Sequence, residues 1–304
     1  MHRSGTSAIT SLLEPIGVHL GAVDELRDDA AGDPHGYWEH RALKAVSEDL
    51  LHRLGADWHR PPILAAGWPE ATALDDLRAH AGRVIAAFAH GRALWGWKDP
   101  RASITLPFWK PLLPDVRYIV CLRHPIEAAR SLETRDALPP WHGLRLWLTY
   151  TASALINTAG ESRLLLFYED AVADPVAAME TIAAFLDRPA PPADEALRRV
   201  TPDRRHERVA PLDADALGRD ACPDSVRALH AVLRAVVGAR GLRTAAAGAI
   251  VDATAAAALA AQRADDKAHG TPQWQATPPV AYDAPAVTPV SDAWRRVRRT
   301  LGPR

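Results

Sequence analysis

The sequence predicts an α/β fold in which a parallel sheet is covered by helices on both faces. Short apolar strand candidates alternate with longer segments in which apolar residues recur every three or four positions. Strands that are apolar along most of their length are typical of a parallel sheet that is buried on both sides. The chain has 304 residues and is 48% hydrophobic, which suffices for one large domain or for one domain with an appendage.

Helices and strands are predicted in alternation up to about residue 190, and the composition changes after it. The helix candidates are 5–15, 40–54, 72–90, 126–135, 144–159 and 175–187, and the strand candidates are Ala93–Lys98, Arg117–Leu122 and Leu164–Tyr168. Charged helical turns fill 203–244, alanine dominates 245–262, and 271–290 contains five prolines. We expect one domain over 1–244 and an Ala/Pro-rich C-terminal extension over 245–304, formed by a helix or two and a partly disordered tail.

Charge and cysteine content exclude several classes of protein. The formal net charge is −1, so the chain has no global basic field that would favour nucleic acid or an anionic membrane surface. Two cysteines, Cys121 and Cys222, are too few for a disulfide framework. The chain also has no run of about 18 apolar residues that could span a membrane. We expect a cytoplasmic protein with no nucleic-acid or membrane partner.

The opening stretch MHRSGTSAITSLL has the features of a loop that holds a phosphate at the start of a helix. Ser4, Gly5, Thr6 and Ser7 are small residues whose backbone N–H groups can face an anion. An ATP-binding Walker A loop would need G-x-x-x-x-G-K-[ST], and the chain contains no GK[ST] tripeptide. A dinucleotide loop would need several glycines, whereas Gly5 is the single glycine among the first 16 residues. The alternative is an ordinary helix start capped by Ser or Thr.

A second anion pocket is predicted in YIVCLRHPIEAARSLETRD, where a strand runs into a helix. Arg123 stands at the carboxyl end of the strand, where open α/β sheets bind ligands. Ser131 and Arg135 are four residues apart on the helix and share a face. A solvated helix face is the alternative. Two anion pockets in one chain suggest a ligand that carries phosphate at both ends.

Taken together, these motifs resemble the sulfotransferases that use 3′-phosphoadenosine 5′-phosphosulfate (PAPS). HRSGTS resembles the family's 5′-phosphosulfate loop, and RHPIEAARS resembles its 3′-phosphate motif. KDPR after WGW, and the later block FYEDAVADPVAAMETIAAFLD, follow in the family's order within residues 1–190. Within that family, the sequence is more similar in character to bacterial members that act on carbohydrates than to the cytosolic enzymes that act on phenols and steroids. The resemblance implies a P-loop-kinase-like three-layer sandwich with a central parallel sheet, PAPS as cosubstrate, no metal, and the hydroxyl group of a carbohydrate or other small molecule as acceptor.

The resemblance also implies a role for particular residues. Arg3 and the loop Ser4, Gly5, Thr6 and Ser7 would hold the phosphosulfate, and Lys98 would reach the bridging oxygen. Arg123, Ser131 and Arg135 would hold the 3′-phosphate, and Tyr168 would contact the nucleotide. In sulfuryl transfer, charge builds on the leaving phosphate and on the sulfuryl oxygens, which is why cations and N–H donors are needed.

The motifs leave several candidates for the general base. The K-x-H arrangement of the cytosolic branch is absent, because Lys98 is followed by Asp99 and Pro100. Other branches, such as the tyrosylprotein sulfotransferases, use a glutamate that follows the phosphosulfate loop, and Glu39 in HGYWEH is the candidate here. His35, His40 and Asp99 are alternatives, although Asp99 is better explained as an orienting partner of a neighbouring cation.

Further expectations concern both ends of the chain and the competing functions. Arg204, Arg205 and His206 could close over the 3′-phosphate or form a solvated charge run. Because a phosphate loop of this kind normally follows a buried strand, we expect the natural protein to begin upstream of Met1 with a short apolar strand. A relative that binds PAPS or its product without turnover remains an alternative function, and a P-loop kinase is a weaker one.

Overall fold

A two-stranded parallel sheet forms the centre of the fold. In this computed structural model, which describes residues 1–26, 38–113, 115–201, 222–238, 240–242 and 244–269, strand β1 (Tyr118–Leu122) pairs with β2 (Arg163–Phe167). Tyr118 lies opposite Arg163, and Leu122 lies opposite Phe167. Both strands therefore end at the same edge of the sheet, so the residues that follow them are brought side by side.

Helices supply most of the remaining regular structure. In chain order they are α1 (Thr6–Ser11), α2 (Arg41–Arg53), α3 (Asp75–Ala89), α4 (Ala102–Trp109), α5 (Pro125–Asp136), α6 (Pro140–Asn157), α7 (Tyr168–Ala173), α8 (Pro175–Phe185), α9 (Ala193–Arg199), α10 (Asp224–Val236) and α11 (Ala245–His269). Short 3₁₀ turns occupy Val23–Glu25, Trp68–Glu70, Thr72–Leu74 and Lys110–Leu112. A small antiparallel pair, β3 (Val237–Gly238) and β4 (Gly241–Leu242), lies between α10 and α11.

The two faces of the sheet belong to different hydrophobic clusters. Val120, Leu122 and Phe167 pack with buried residues of α5, α6, α10 and α11. Leu164 and Leu166 point the other way and pack with α1, α7, α8 and α9. This alternation follows the two-residue period of a strand, and it places the sheet between two layers of helices.

The six helices predicted before residue 190 are confirmed, with ends that shift by a few residues. The strands predicted at 117–122 and 164–168 are also confirmed. The strand predicted at Ala93–Lys98 is wrong, because within the described residues Trp95 makes one parallel bridge to His19 and no ladder follows. The apolar side chains of this segment instead pack with α2, α3 and α4, where the rings of Trp95 and Trp97 stack 6.1 Å apart.

Helix α4 was not predicted, and Pro107 in its interior explains why. Proline has no N–H group, so the carbonyl of Ser103 loses its usual partner one turn later. The side-chain amide of Asn157 donates to that carbonyl at 2.9 Å and replaces the missing bond. A contact from α6 thus allows a helix that the local sequence disfavours.

Helix α11 comes from the alanine-rich segment and packs on α6 and α10. Val251, Ala255 and Leu259 are buried in the cluster that covers one face of the sheet. Arg145 on α6 forms an ion pair with Asp266. The helix expected in this segment is therefore present, while the domain division at residue 245 and the tail from residue 270 stay predictions. In the part of the chain described above, no helix has both the length and the apolar character needed to cross a membrane.

Candidate functional site

The N-terminal loop is shaped by two left-handed backbone positions and by the ring of Tyr168. Arg3 has φ 59° and Gly5 has φ 72°. A Cβ atom on Gly5 would lie 2.0 Å from Cδ2 of Tyr168, so only glycine fits at this position. Tyr168 follows β2 directly and is buried, and it therefore fixes how close the loop comes to the end of the sheet. The N–H groups that open α1 have no earlier helical carbonyl to bond.

The side chain of Arg3 connects this loop to the end of β1 and to α5. Its Nε donates to Oγ of Ser131 at 2.8 Å. The backbone carbonyl of Arg3 accepts a hydrogen bond from Nη1 of Arg123 at 2.9 Å. The two anion pockets predicted from separate motifs are thus in direct contact, with 120 or more residues of sequence between their members.

Arg123 is a buried cation held from several sides. Its guanidinium lies 4.9 Å from the centre of the Tyr168 ring, and Glu127 on α5 is 3.5 Å from its Nε. The indole Nε1 of Trp147 donates to the Arg123 carbonyl at 2.8 Å. With a guanidinium, the Ser131 hydroxyl and loop N–H groups in one place, the chemistry of these donors fits a phosphate group.

A second buried cluster surrounds Glu39. Nζ of Lys98 donates to Oε1 of Glu39 at 2.8 Å, and both side chains are less than a tenth exposed. Nη1 of Arg101 lies 3.6 Å from the other oxygen of Glu39. Asp99 accepts hydrogen bonds from the backbone N–H and from Nη1 of Arg101, both at 2.9 Å. Asp99 therefore has the orienting contacts expected of it.

Burial changes the pKa of one member of this second cluster, and the backbone beside it has an unusual conformation. Burial lowers the pKa of Lys98, and the nearby Glu39 carboxylate opposes that shift. Trp38, immediately before Glu39, has φ 51°, an unfavourable conformation for a non-glycine residue. His40 directly precedes α2 at the N-cap position, and its Nδ1 accepts from the N–H of Leu43 at 3.5 Å. This contact gives His40 a capping role.

His2 is a buried residue that packs among aromatic rings. Its ring lies 4.6 Å from that of Trp58 and 5.9 Å from that of Tyr150. Burial lowers the pKa of His2, and the charges of Arg101, Arg135 and Lys98 lower it further. Arg135 also lies over Trp58, at 5.6 Å, and bonds to the neighbouring Asp136. Trp58 therefore contacts both the opening stretch and the last of the cations predicted for the 3′-phosphate.

The structure brings together most of the residues predicted from the sequence. Arg3, Gly5, Arg123, Ser131 and Tyr168 are joined by the contacts above, and Glu39 is joined to Lys98. Ser4 is buried and Thr6 and Ser7 are half-buried beside them. His35, Arg204, Arg205 and His206 lie outside the described residues.

Sequence reasoning missed two carboxylates that shape the site, Glu127 and Glu169, and considered Arg101 only as a cation that Asp99 would orient. Glu127 and Glu169 are buried carboxylates beside Arg123 and His124, and Arg101 is the cation that joins Glu39 to Asp99 and Glu48. Two of these stand next to predicted residues in the motifs KDPR and FYED. Their position in the sequence beside predicted site residues was the available signal, because residues just after a strand or at a helix start are brought to the same edge of the sheet.

The parallel sheet is covered by helices, the Arg123 cluster lies at its strand ends, and the Glu39 cluster lies at the starts of α2 and α4. This arrangement defines an α/β protein of the kind that can bind an anionic ligand. The model of the sulfotransferase family matches residues 1–192, which include every predicted site residue except the three in 204–206. The chain therefore belongs to the sulfotransferase family. Searches of curated proteins and of solved structures found no significant match.

Proposed function

We propose that this protein transfers a sulfuryl group from PAPS to the hydroxyl group of a carbohydrate or other small-molecule acceptor. Membership of the sulfotransferase family supports the reaction type. The observation that carries the proposal is the buried pair of Glu39 and Lys98, two residues 59 positions apart whose side chains meet at 2.8 Å. The sequence motifs give these two residues complementary catalytic roles independently of their contact.

Donor binding is assigned to the Arg3 and Arg123 cluster. Arg123 and Ser131 would hold the 3′-phosphate, with Arg135 at the far end of the same helix face. Arg3 and the N–H groups of the loop would hold the 5′-phosphosulfate, in the P-loop-kinase-like arrangement that the resemblance implies. Each charge-assisted hydrogen bond of this kind contributes about 1.5–3 kcal/mol. The ring of Tyr168 would support both the loop and Arg123.

Catalysis is assigned to Glu39 and Lys98. Glu39 would take the proton from the acceptor hydroxyl as its oxygen forms a bond to sulfur. The bond between sulfur and the bridging oxygen breaks, and its electron pair stays on the 5′-phosphate. Lys98 would exchange its contact with Glu39 for that bridging oxygen and so stabilise the developing charge. The proton therefore goes to Glu39, the sulfuryl group to the acceptor oxygen and the negative charge to the 5′-phosphate, and the proposed transfer needs no metal.

A relative that binds the nucleotide without turnover is the second candidate. A buried ion pair such as Glu39 and Lys98 can also serve structure alone. In that case the carboxylate would have no role in transfer. The two candidates differ in whether sulfate moves, not in whether the nucleotide binds.

Transfer from ³⁵S-labelled PAPS to a panel of hydroxyl acceptors separates the two candidates. Glu39→Gln should lower turnover by about 10²–10⁴-fold and leave donor affinity nearly intact, because it removes a general base. Glu48→Gln is the matched control: it makes the same Glu-to-Gln change at another ion-pair partner of Arg101, on α2, whose side chain is 39% exposed. Wild-type turnover in Glu39→Gln would move the role of base to another residue, and labelled acceptor absent from the wild-type reactions would favour the binding protein.

A further inference from the structure

Two pairs of consecutive residues meet where the strands of the sheet end. β1 is followed by Arg123 and His124, and β2 is followed by Tyr168 and Glu169. Because Leu122 lies opposite Phe167 in the register, these two pairs continue the strands side by side. The Tyr168 ring lies against the Arg123 guanidinium, and Oε1 of Glu169 accepts from the backbone N–H of His124 at 2.6 Å.

We propose that Glu169 is a positioning residue for Arg123, and that it gives the site its preference for a 3′-phosphate. The inference rests on the proposed donor-binding role of Arg123. Glu169 does not touch the ligand in this account. It fixes the peptide unit that joins Arg123 to His124, and with it the direction in which the Arg123 side chain leaves the backbone.

The burial of Glu169 supports a specific role. Glu169 is 9% exposed, and its Oε2 atom has no hydrogen-bond partner among the described residues. Burial raises the pKa of the Glu169 carboxyl, and the carboxylate of Glu127 raises it further, while the His124 N–H and the Arg123 cation oppose the shift. Burial of a carboxylate is costly unless hydrogen bonds compensate for it, and the N–H of His124 supplies one such bond.

Helix α6 also contacts this peptide unit, and α10 contacts the side chain of His124. Trp147 donates to the carbonyl of Arg123, and the ring of His230 packs edge-on against His124 at 4.7 Å. His230 belongs to α10, beyond the 1–192 family match. Glu169 bonds to the N–H of His124, so removal of its carboxylate leaves Arg123 held by its carbonyl, by Glu127, by the carbonyl of Arg3 and by stacking on Tyr168.

The test compares two adenosine nucleotides, of which one carries a 3′-phosphate and the other lacks it but carries a sulfuryl group on its 5′-phosphate. Calorimetry with adenosine 3′,5′-bisphosphate and with adenosine 5′-phosphosulfate is carried out on the full chain. Glu169→Asp shortens the side chain and withdraws the carboxylate from the His124 N–H, and Glu169→Ala removes it. Glu169→Gln keeps an acceptor oxygen at the same length. Asp170→Asn is the control, because it alters α7 at its contact with Arg234 and touches neither Arg123 nor His124.

The expected result is a selective loss. Glu169→Asp and Glu169→Ala should weaken the bisphosphate by about 10- to 100-fold and the phosphosulfate by less than about threefold. Glu169→Gln and Asp170→Asn should bind both nucleotides within about threefold of the wild type. Equal losses for both nucleotides, or unchanged selectivity in Glu169→Asp and Glu169→Ala, would overturn the positioning role. A wild-type protein that binds neither nucleotide would instead overturn the proposed function on which the inference depends.

Discussion

Gly5→Ala tests the contact that shapes the N-terminal loop. The added Cβ would lie 2.0 Å from Cδ2 and 2.3 Å from Cγ of Tyr168, and Cβ of the same residue lies 2.8 Å away. These atoms belong to the base of a buried ring, so the ring or the loop must move. Such overpacking costs about 1–3 kcal/mol. The left-handed φ of 72° adds about 1–2 kcal/mol for a residue with a side chain.

The free energy of unfolding of Gly5→Ala should therefore fall by about 2–5 kcal/mol in urea titrations. Gly91→Ala is the matched control, because Gly91 has φ 68° and no described atom lies within 4 Å of the point where its Cβ would stand. It should lose only about 1–2 kcal/mol. The double variant Gly5→Ala, Tyr168→Ala should be less destabilised than the sum of its single changes. Equal losses in Gly5→Ala and Gly91→Ala would refute the packing argument.

Three further changes test other parts of the structure. Arg123→Ala should weaken adenosine 3′,5′-bisphosphate strongly and adenosine 5′-phosphosulfate hardly at all in calorimetry, and equal losses would refute its 3′-phosphate role. Leu259→Ala should lower the free energy of unfolding by about 2–5 kcal/mol, because α11 packs into the core, and a neutral result would contradict that packing. Burial lowers the pKa of His230 from 6.5 to about 3, so the unfolded chain binds more protons and stability falls as pH drops from about 6.5 towards 3. His230→Gln should reduce that slope by up to about 1.4 kcal/mol per pH unit in unfolding titrations, and an unchanged slope would contradict the shift.

Local sequence patterns correctly predicted the helices and strands whose apolar residues are spaced to suit the packing of that helix or strand itself. The six helices that were predicted before residue 190 and the strands β1 and β2 follow this rule. Ala93–Lys98 does not, because its tryptophans pack between helices and lack a neighbouring strand within the described residues. Helix α4 was missed for the opposite reason, since a contact from Asn157 to the Ser103 carbonyl compensates for Pro107.

The candidate site was predictable where a motif carries its chemistry within a few residues. Arg3, Arg123 and Ser131 could be found in this way, although the direct bond between Arg3 and Ser131 could not. Glu127 and Glu169 were missed because a carboxylate near a helix start has an ordinary explanation in the helix dipole. Only the three-dimensional register shows that Glu169 bonds to the peptide after Arg123.

The most direct test of the central claim is a calorimetric titration of the wild-type chain with adenosine 3′,5′-bisphosphate and, separately, with ATP. We expect one bisphosphate bound per chain and much weaker binding of ATP, because Arg123 and Ser131 are proposed to hold a 3′-phosphate, which ATP lacks. Equal affinity for the two nucleotides, or tighter binding of ATP, would contradict the account.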